Sequence, residues 1–113
     1  MNEKIKFSNW DIYKKISSLD LILISLYSLE LKKKKGNFEN LLKESFRLFP
    51  RTFCFKGIAQ WPDARKLDRP LRTLRGKNLV KGDPESLFSL TLKGKKKALE
   101  LIEKFYQKRL FNL

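Results

Sequence analysis

The chain has 113 residues, 42% of them hydrophobic, which suits one small domain with a single modest core and is too apolar for a disordered chain. Twenty-six Lys and Arg oppose twelve Asp and Glu, and a net charge of +14 costs self-repulsion unless a nucleic acid or an anionic membrane offsets it. With no histidine and one cysteine, His- and Cys-based metal sites, Ser-His triads and an intramolecular disulfide are excluded.

Residues 1–16 mix charges with Ile5, Phe7, Trp10, Ile12 and Tyr13 and fit either a short helix or an arm packed on the domain. No cleavable signal sequence is visible there. Ser17 then reads as a helix N-cap, with Asp20 three residues on in the capping-box position. This helix is expected to run to about residue 33, with Leu19, Ile22, Leu23, Leu26, Tyr27 and Leu29 as its apolar surface and Gly36 as its stop. The lysines at 32–35 complement its C-terminal dipole. The apolar run at residues 19–31 is broken by Asp20, Ser25, Ser28 and Glu30 and is too short to span a bilayer, so a cytoplasmic protein with no membrane partner is expected.

Asn37 caps the next helix, whose Phe38, Leu41, Leu42, Ser45, Phe46 and Phe49 follow the clearest helical periodicity in the chain. Pro50 terminates it. Residues 51–62 are unusually aromatic for a connection and read as an ordered insertion carrying Phe53, Phe55, Ile58 and Trp61 into the core. Cys54, between two phenylalanines, reads as a buried structural thiol.

Asp63 caps a basic helix through about residue 75, ended by Gly76, with Ala64, Leu67, Leu71 and Leu74 as its buried stripe. At about 100° per residue, Arg65, Arg69 and Arg72 share one narrow face opposite the leucines, flanked by Lys66 and Arg75. Arg suits bidentate contact with guanine edges and phosphates. Pro70 implies either a kink or a restart with Asp68 as cap.

A β-hairpin follows: residues 79–81, the turn Gly82-Asp83-Pro84-Glu85-Ser86, then residues 87–92, where Phe88, Leu90 and Leu92 alternate with Leu87, Ser89 and Thr91. Its tip is acidic, and the nearest cations are Lys77 and Lys81, so the hairpin reads as a scaffold more than a probe. A last helix is expected from Lys95 to about residue 111, with Ala98, Leu101, Ile102, Phe105, Tyr106 and Leu110 apolar. Lys93, Lys95, Lys96 and Lys97 at its start oppose the helix dipole, a small cost that points to phosphate binding.

The order basic helix, hairpin, capped Lys-rich helix, with Leu90-Thr91-Leu92-Lys93-Gly94-Lys95-Lys96-Lys97-Ala98, resembles the second half of a winged helix-turn-helix domain. The resemblance implies a mainly α fold with a small β-hairpin (α+β): a three-helix core, a two-stranded wing and a C-terminal helix, over residues 17–113. The aromatic insertion departs from the three- or four-residue turn of a simple helix-turn-helix. The resemblance further implies double-stranded DNA as partner, through Arg65, Lys66, Arg69, Arg72, Arg75, Lys77, Lys93, Lys95, Lys96 and Lys97. The apolar last helix fits either a homodimer, packed against its twin, or a fold back onto residues 1–16 and the first helix. A transcriptional regulator and a DNA-binding accessory subunit both fit. Winged helices also serve as protein-interaction adaptors, which exposed aromatics such as Phe53 and Trp61 would favour, and structured RNA is a further alternative. Scattered carboxylates and the absence of a glycine-rich phosphate loop give no expectation of an enzyme or a cofactor.

Overall fold

A helix with almost no polar face organises the molecule. The computed structural model describes residues 10–83 and 85–111, with side chains described for these except Ile12 and residues 106–111. Helix α2 (Ser18–Leu31) buries every residue from Leu21 to Leu26, then Ser28 and Leu29. A helix apolar all round must be enclosed. Accordingly α3 (Phe38–Leu48), α5 (Arg65–Gly76) and α6 (Leu92–Phe111) pack around it. Among the described residues the chain is mainly helical, with two separate two-stranded antiparallel sheets.

Ser17 caps α2 as expected, accepting the Asp20 N–H at 3.3 Å. Its other end differs from expectation. Lys33, at φ +59°, provides the left-handed residue, and the Lys33 and Lys34 amides bond Glu30 and Leu29 carbonyls. This is a Schellman stop built on lysine, three residues before Gly36. Gly36 serves another purpose: a Cβ there would lie 2.2 Å from the Phe88 carbonyl oxygen. Its own carbonyl accepts the Phe88 N–H at 2.8 Å, tying the α2–α3 linker to the later hairpin.

Asn37 caps α3 through the Asn40 N–H at 2.8 Å. Leu41, Ser45 and Leu48 are buried against α2, while Phe38, Leu42 and Phe46 are half-buried at the margin. The same seam holds Glu44, only 6% exposed in its side chain, with Lys32 at 2.9 Å and Arg47 at 2.8 Å. The Ser28 hydroxyl also donates to it. Burial opposes ionisation of Glu44, but hydrogen bonds from Arg47, Ser28 and Lys32 outweigh it and hold the carboxyl at about 2.

Pro50 ends α3 and also opens a one-turn helix, α4 (Pro50–Phe53), at whose first position its missing N–H costs nothing. The aromatic insertion is therefore α4 followed by a hairpin, β1 (Cys54–Phe55) and β2 (Ile58–Pro62), turned at Gly57 with φ +87°. Of the four residues expected in the core only Phe53 is buried. Phe55 and Ile58 are half-buried, and Trp61 is 58% exposed. Cys54 is likewise half-buried, because a short hairpin at the edge of the body has one side open to water. Upstream, α1 (Trp10–Tyr13) belongs to the body: Tyr13 is buried, edge-on to Trp10 at 5.1 Å and to Phe49 at 5.0 Å. Ile5 and Phe7 lie outside the described residues.

Helix α5 runs unbroken through Pro70. Asp63, rather than a residue restarting the helix at 68, accepts the Arg65 N–H at 3.0 Å. The helix includes Gly76 and stops two residues later, where Asn78 takes φ +61° and the Asn78 and Leu79 amides bond Arg75 and Leu74 carbonyls. Leu79 and Leu74 are both buried, completing a second Schellman motif. The next hairpin is short: β3 (Val80–Lys81) pairs with β4 (Ser89–Leu90), Val80 opposite Leu90.

The expected strand continuation through Leu92 does not form. Thr91 is instead the cap of α6, accepting the Gly94 N–H at 2.9 Å, so the helix opens at Leu92 and not at Lys95. Leu92 is consequently 88% exposed. Gly94 lies inside the first turn, buried, where a Cβ would sit 1.9 Å from the Leu79 carbonyl oxygen. Ala98, Ile102 and Phe105 enter the core of their own chain. These three positions of the expected dimer helix are thus covered without a second copy; Tyr106 and Leu110 lie outside the described side chains. No helix among the described residues is long and apolar enough to cross a membrane.

Replacing Gly94 with Ala forces the α6 start away from the Leu79 backbone, and a loss of about 2 kcal/mol or more is expected in urea unfolding. Glu44 has a folded pKa below its unfolded one, so its contribution is present above pH 4.5 and lost as pH falls towards 2. That difference corresponds to about 3 kcal/mol at neutral pH. Thermal melts between pH 6 and about 2.5 should therefore fall more steeply for the native chain than for Glu44→Gln, which should already be destabilised at pH 6.

Candidate nucleic-acid interface

Helix α5 divides its residues sharply. Leu67, Leu71 and Leu74 are buried against α2 and the rest of the core, so the opposite face is forced outward. Arg65, Arg69 and Arg72 occupy that face and are exposed, as their spacing predicts.

The three arginines differ in how they are held. Arg65 meets Asp63 with both arms of its fork, Nε to Oδ1 at 3.1 Å and Nη2 to Oδ2 at 3.2 Å. Its guanidinium also lies over the Phe55 ring, 5.2 Å from the centroid. The Arg65 hydrogen bonds hold the Asp63 carboxyl below the usual carboxylate range, and Asp63 raises the Arg65 pKa in return. Two N–H groups are thus engaged, and three of the five have no acceptor among the described residues. Arg72 pairs with Asp68 at 3.1 Å across one turn; both side chains are more than half exposed, so this bond is weak and readily exchanged. Arg69, between them, has no ion pair or hydrogen bond through its side chain among the described residues. It borders a shallow depression with Ser18, Thr52, Arg65, Lys66, Asp68 and Pro70.

The flanking cations have structural employment. Lys66 turns its ammonium to the Thr52 and Cys54 carbonyls, at 3.2 and 2.8 Å, and clamps the insertion to α5. Arg75 donates to the Gly82 carbonyl at 3.1 Å and ties the end of α5 to the second hairpin. Spacing puts both beside the arginine face, but not on these carbonyls, which come from other elements.

Lys77 is exposed at the end of α5, and Lys93, Lys95, Lys96 and Lys97 are exposed on the first turns of α6. The two groups are joined through the contact of Gly94 with Leu79, two residues past Lys77. Lys95 approaches Glu30 at 3.7 Å, and the other Glu30 oxygen accepts the Leu90 N–H at 3.2 Å. The tip of the β3–β4 hairpin is self-contained: Asp83 accepts the Glu85 N–H at 2.9 Å, and the Ser86 hydroxyl accepts the Asp83 N–H at 3.3 Å.

Sequence reasoning did not place Trp61 on this surface. Its exposed indole stands edge-on to Phe55, with ring centroids 6.4 Å apart, and the same Phe55 ring carries Arg65. A signal was present: Lys56-Gly57 between Phe55 and Ile58 marks a tight turn, and a two-stranded hairpin cannot bury both of its faces. Comparisons with protein families, curated proteins and solved structures give no match for this chain.

Proposed function

We propose that this chain is a winged-helix module that binds double-stranded DNA, with the arginine face of α5 in the major groove and the α6 lysines on the phosphate backbone. Arg69 carries the reading. An exposed arginine with no side-chain partner among the described residues, between two exposed arginines on a helix locked from behind by three buried leucines, is a rigidly mounted donor available to a ligand.

The arrangement around α5 supports the same reading. Helices α2, α3 and α5 share one core, and the β3–β4 hairpin follows α5 directly, tied to it by Arg75 and to the α2–α3 linker through Gly36 and Phe88. The acidic, internally bonded hairpin tip acts as a brace for the helix, leaving groove contact to α5. Lys96 and Lys97 are exposed without a described ion pair and suit phosphates. A regulator and an accessory subunit of a larger assembly would both use this surface.

Fluorescence anisotropy with a duplex of about 25 base pairs, in DNA and RNA forms and at two salt concentrations, tests the reading. DNA should bind more tightly, with affinity falling steeply as salt rises. Arg69→Ala should cost about 1–3 kcal/mol and relax sequence preference. Lys96→Ala with Lys97→Ala should weaken all sequences alike and reduce the salt slope by about 2. Negligible binding of the native chain to both duplexes at low salt would reject the proposal.

A further inference from the structure

The β1–β2 hairpin is built to hold an aromatic side chain in the open. Along β2 only Ile58 is even half-buried, and Ala59, Gln60, Trp61 and Pro62 are exposed. Exposing a tryptophan at 58% forfeits burial that the side chain would otherwise gain. The hairpin is nevertheless fastened at its base. The Asp63 N–H bonds the Phe53 carbonyl at 2.8 Å, and Lys66 bonds the carbonyls of Thr52 and Cys54. Phe55 supports the indole edge-on from one side while Arg65 covers the Phe55 ring.

Trp61 therefore stands four residues before α5 opens at Arg65, at the N-terminal end of that helix. In helix-turn-helix proteins this end of the recognition helix approaches base edges. The charge of the hairpin segment narrows the choice of partner. Residues 51–62 contain Arg51 and Lys56 and no carboxylate; Arg51 lies over the Trp10 ring, and Arg65, over Phe55, is paired with the adjoining Asp63 while three of its N–H groups are unengaged among the described residues. An acidic polymer with flat, stackable groups matches both features.

We propose that Trp61 is a base-stacking contact, inserted by the hairpin beside α5 onto a base that is unpaired or unstacked in the bound DNA. Every base has a π-face, so such a contact is tolerant of sequence and sensitive to whether the base is free to stack. The inference rests on DNA binding through α5 and adds to it a preference for duplex that is locally open.

The test compares anisotropy of an intact duplex with the same duplex carrying one unpaired base, for the native chain, Trp61→Ala, Trp61→Phe and Arg69→Ala. The native chain should favour the interrupted duplex by roughly tenfold. Trp61→Ala should abolish that preference while keeping affinity for the intact duplex, and Trp61→Phe should retain part of it. Arg69→Ala should weaken both duplexes and keep the preference. Equal preference in the native chain and Trp61→Ala, with Arg69→Ala weakening both, would overturn the stacking role and leave DNA binding by α5 standing. Binding of neither duplex by the native chain would overturn both. Because Trp61 is exposed, thermal melts of its variants should match the native chain, so a lost preference is not lost folding.

Discussion

Everything in this fold depends on enclosing α2. Six consecutive side chains, Leu21 to Leu26, are buried, and each Leu or Ile removed from water contributes about 1.5–3 kcal/mol. Such a helix cannot lie on a surface. It obliges α3, α5, α6 and the second hairpin to surround it, and it turns one face of each toward itself. The hydroxyls of its own buried serines are satisfied, Ser25 donating to the Leu21 carbonyl at 2.9 Å and Ser28 to Glu44, whereas the Ser45 hydroxyl of α3 has no hydrogen-bond partner among the described residues. Glu44 also draws Lys32 and Arg47 together, so the α2–α3 seam is specified by charge as well as by shape.

The enclosure determines what each arginine of α5 can do. Once Leu67, Leu71 and Leu74 are committed to the core, Arg65, Arg69 and Arg72 have nowhere to go but outward. The large excess of positive charge is then divided into two kinds. Lys66, Arg75, Lys32 and Arg47 act within the fold, bonding carbonyls or a buried carboxylate. Arg69, Lys77, Lys93, Lys96 and Lys97 have no such employment among the described residues. Of the second group Arg69 lies on an element held rigidly from behind, the condition for a donor to contribute to recognition without losing much entropy.

The two hairpins divide the labour in a similar way. The first is fastened at its base by Lys66 and Asp63 and leaves Trp61 open. The second is short, acidic at its tip and bonded to Gly36 and Arg75, and it fixes where α5 ends and α6 begins. Thr91 and Gly94 complete that junction. The threonine caps α6, and the missing Cβ at Gly94 lets the helix start against the Leu79 carbonyl.

The sequence by itself determined the caps at Ser17 and Asn37, the amphipathic stripes of α3 and, from Leu67 onward, of α5 (Ala64, expected in that stripe, is exposed), the arginine face and the presence of the second hairpin. These are local: a side-chain oxygen three residues from its amide, or a repeat of 3.6 residues, is complete within a few turns of chain. Tertiary structure decided the rest. Gly36, Gly76 and Gly94 look like helix ends in a linear reading, yet α2 and α5 stop at Lys33 and Asn78, and α6 begins before Gly94. Gly36 and Gly94 are required by carbonyls of Phe88 and Leu79, which are 52 and 15 positions away in the chain. The same holds for function. That Lys66 faces inward, that Arg69 has no partner among the described residues, and that Trp61 stands outside the core depend on which elements pack against α5, and no local pattern encodes that packing.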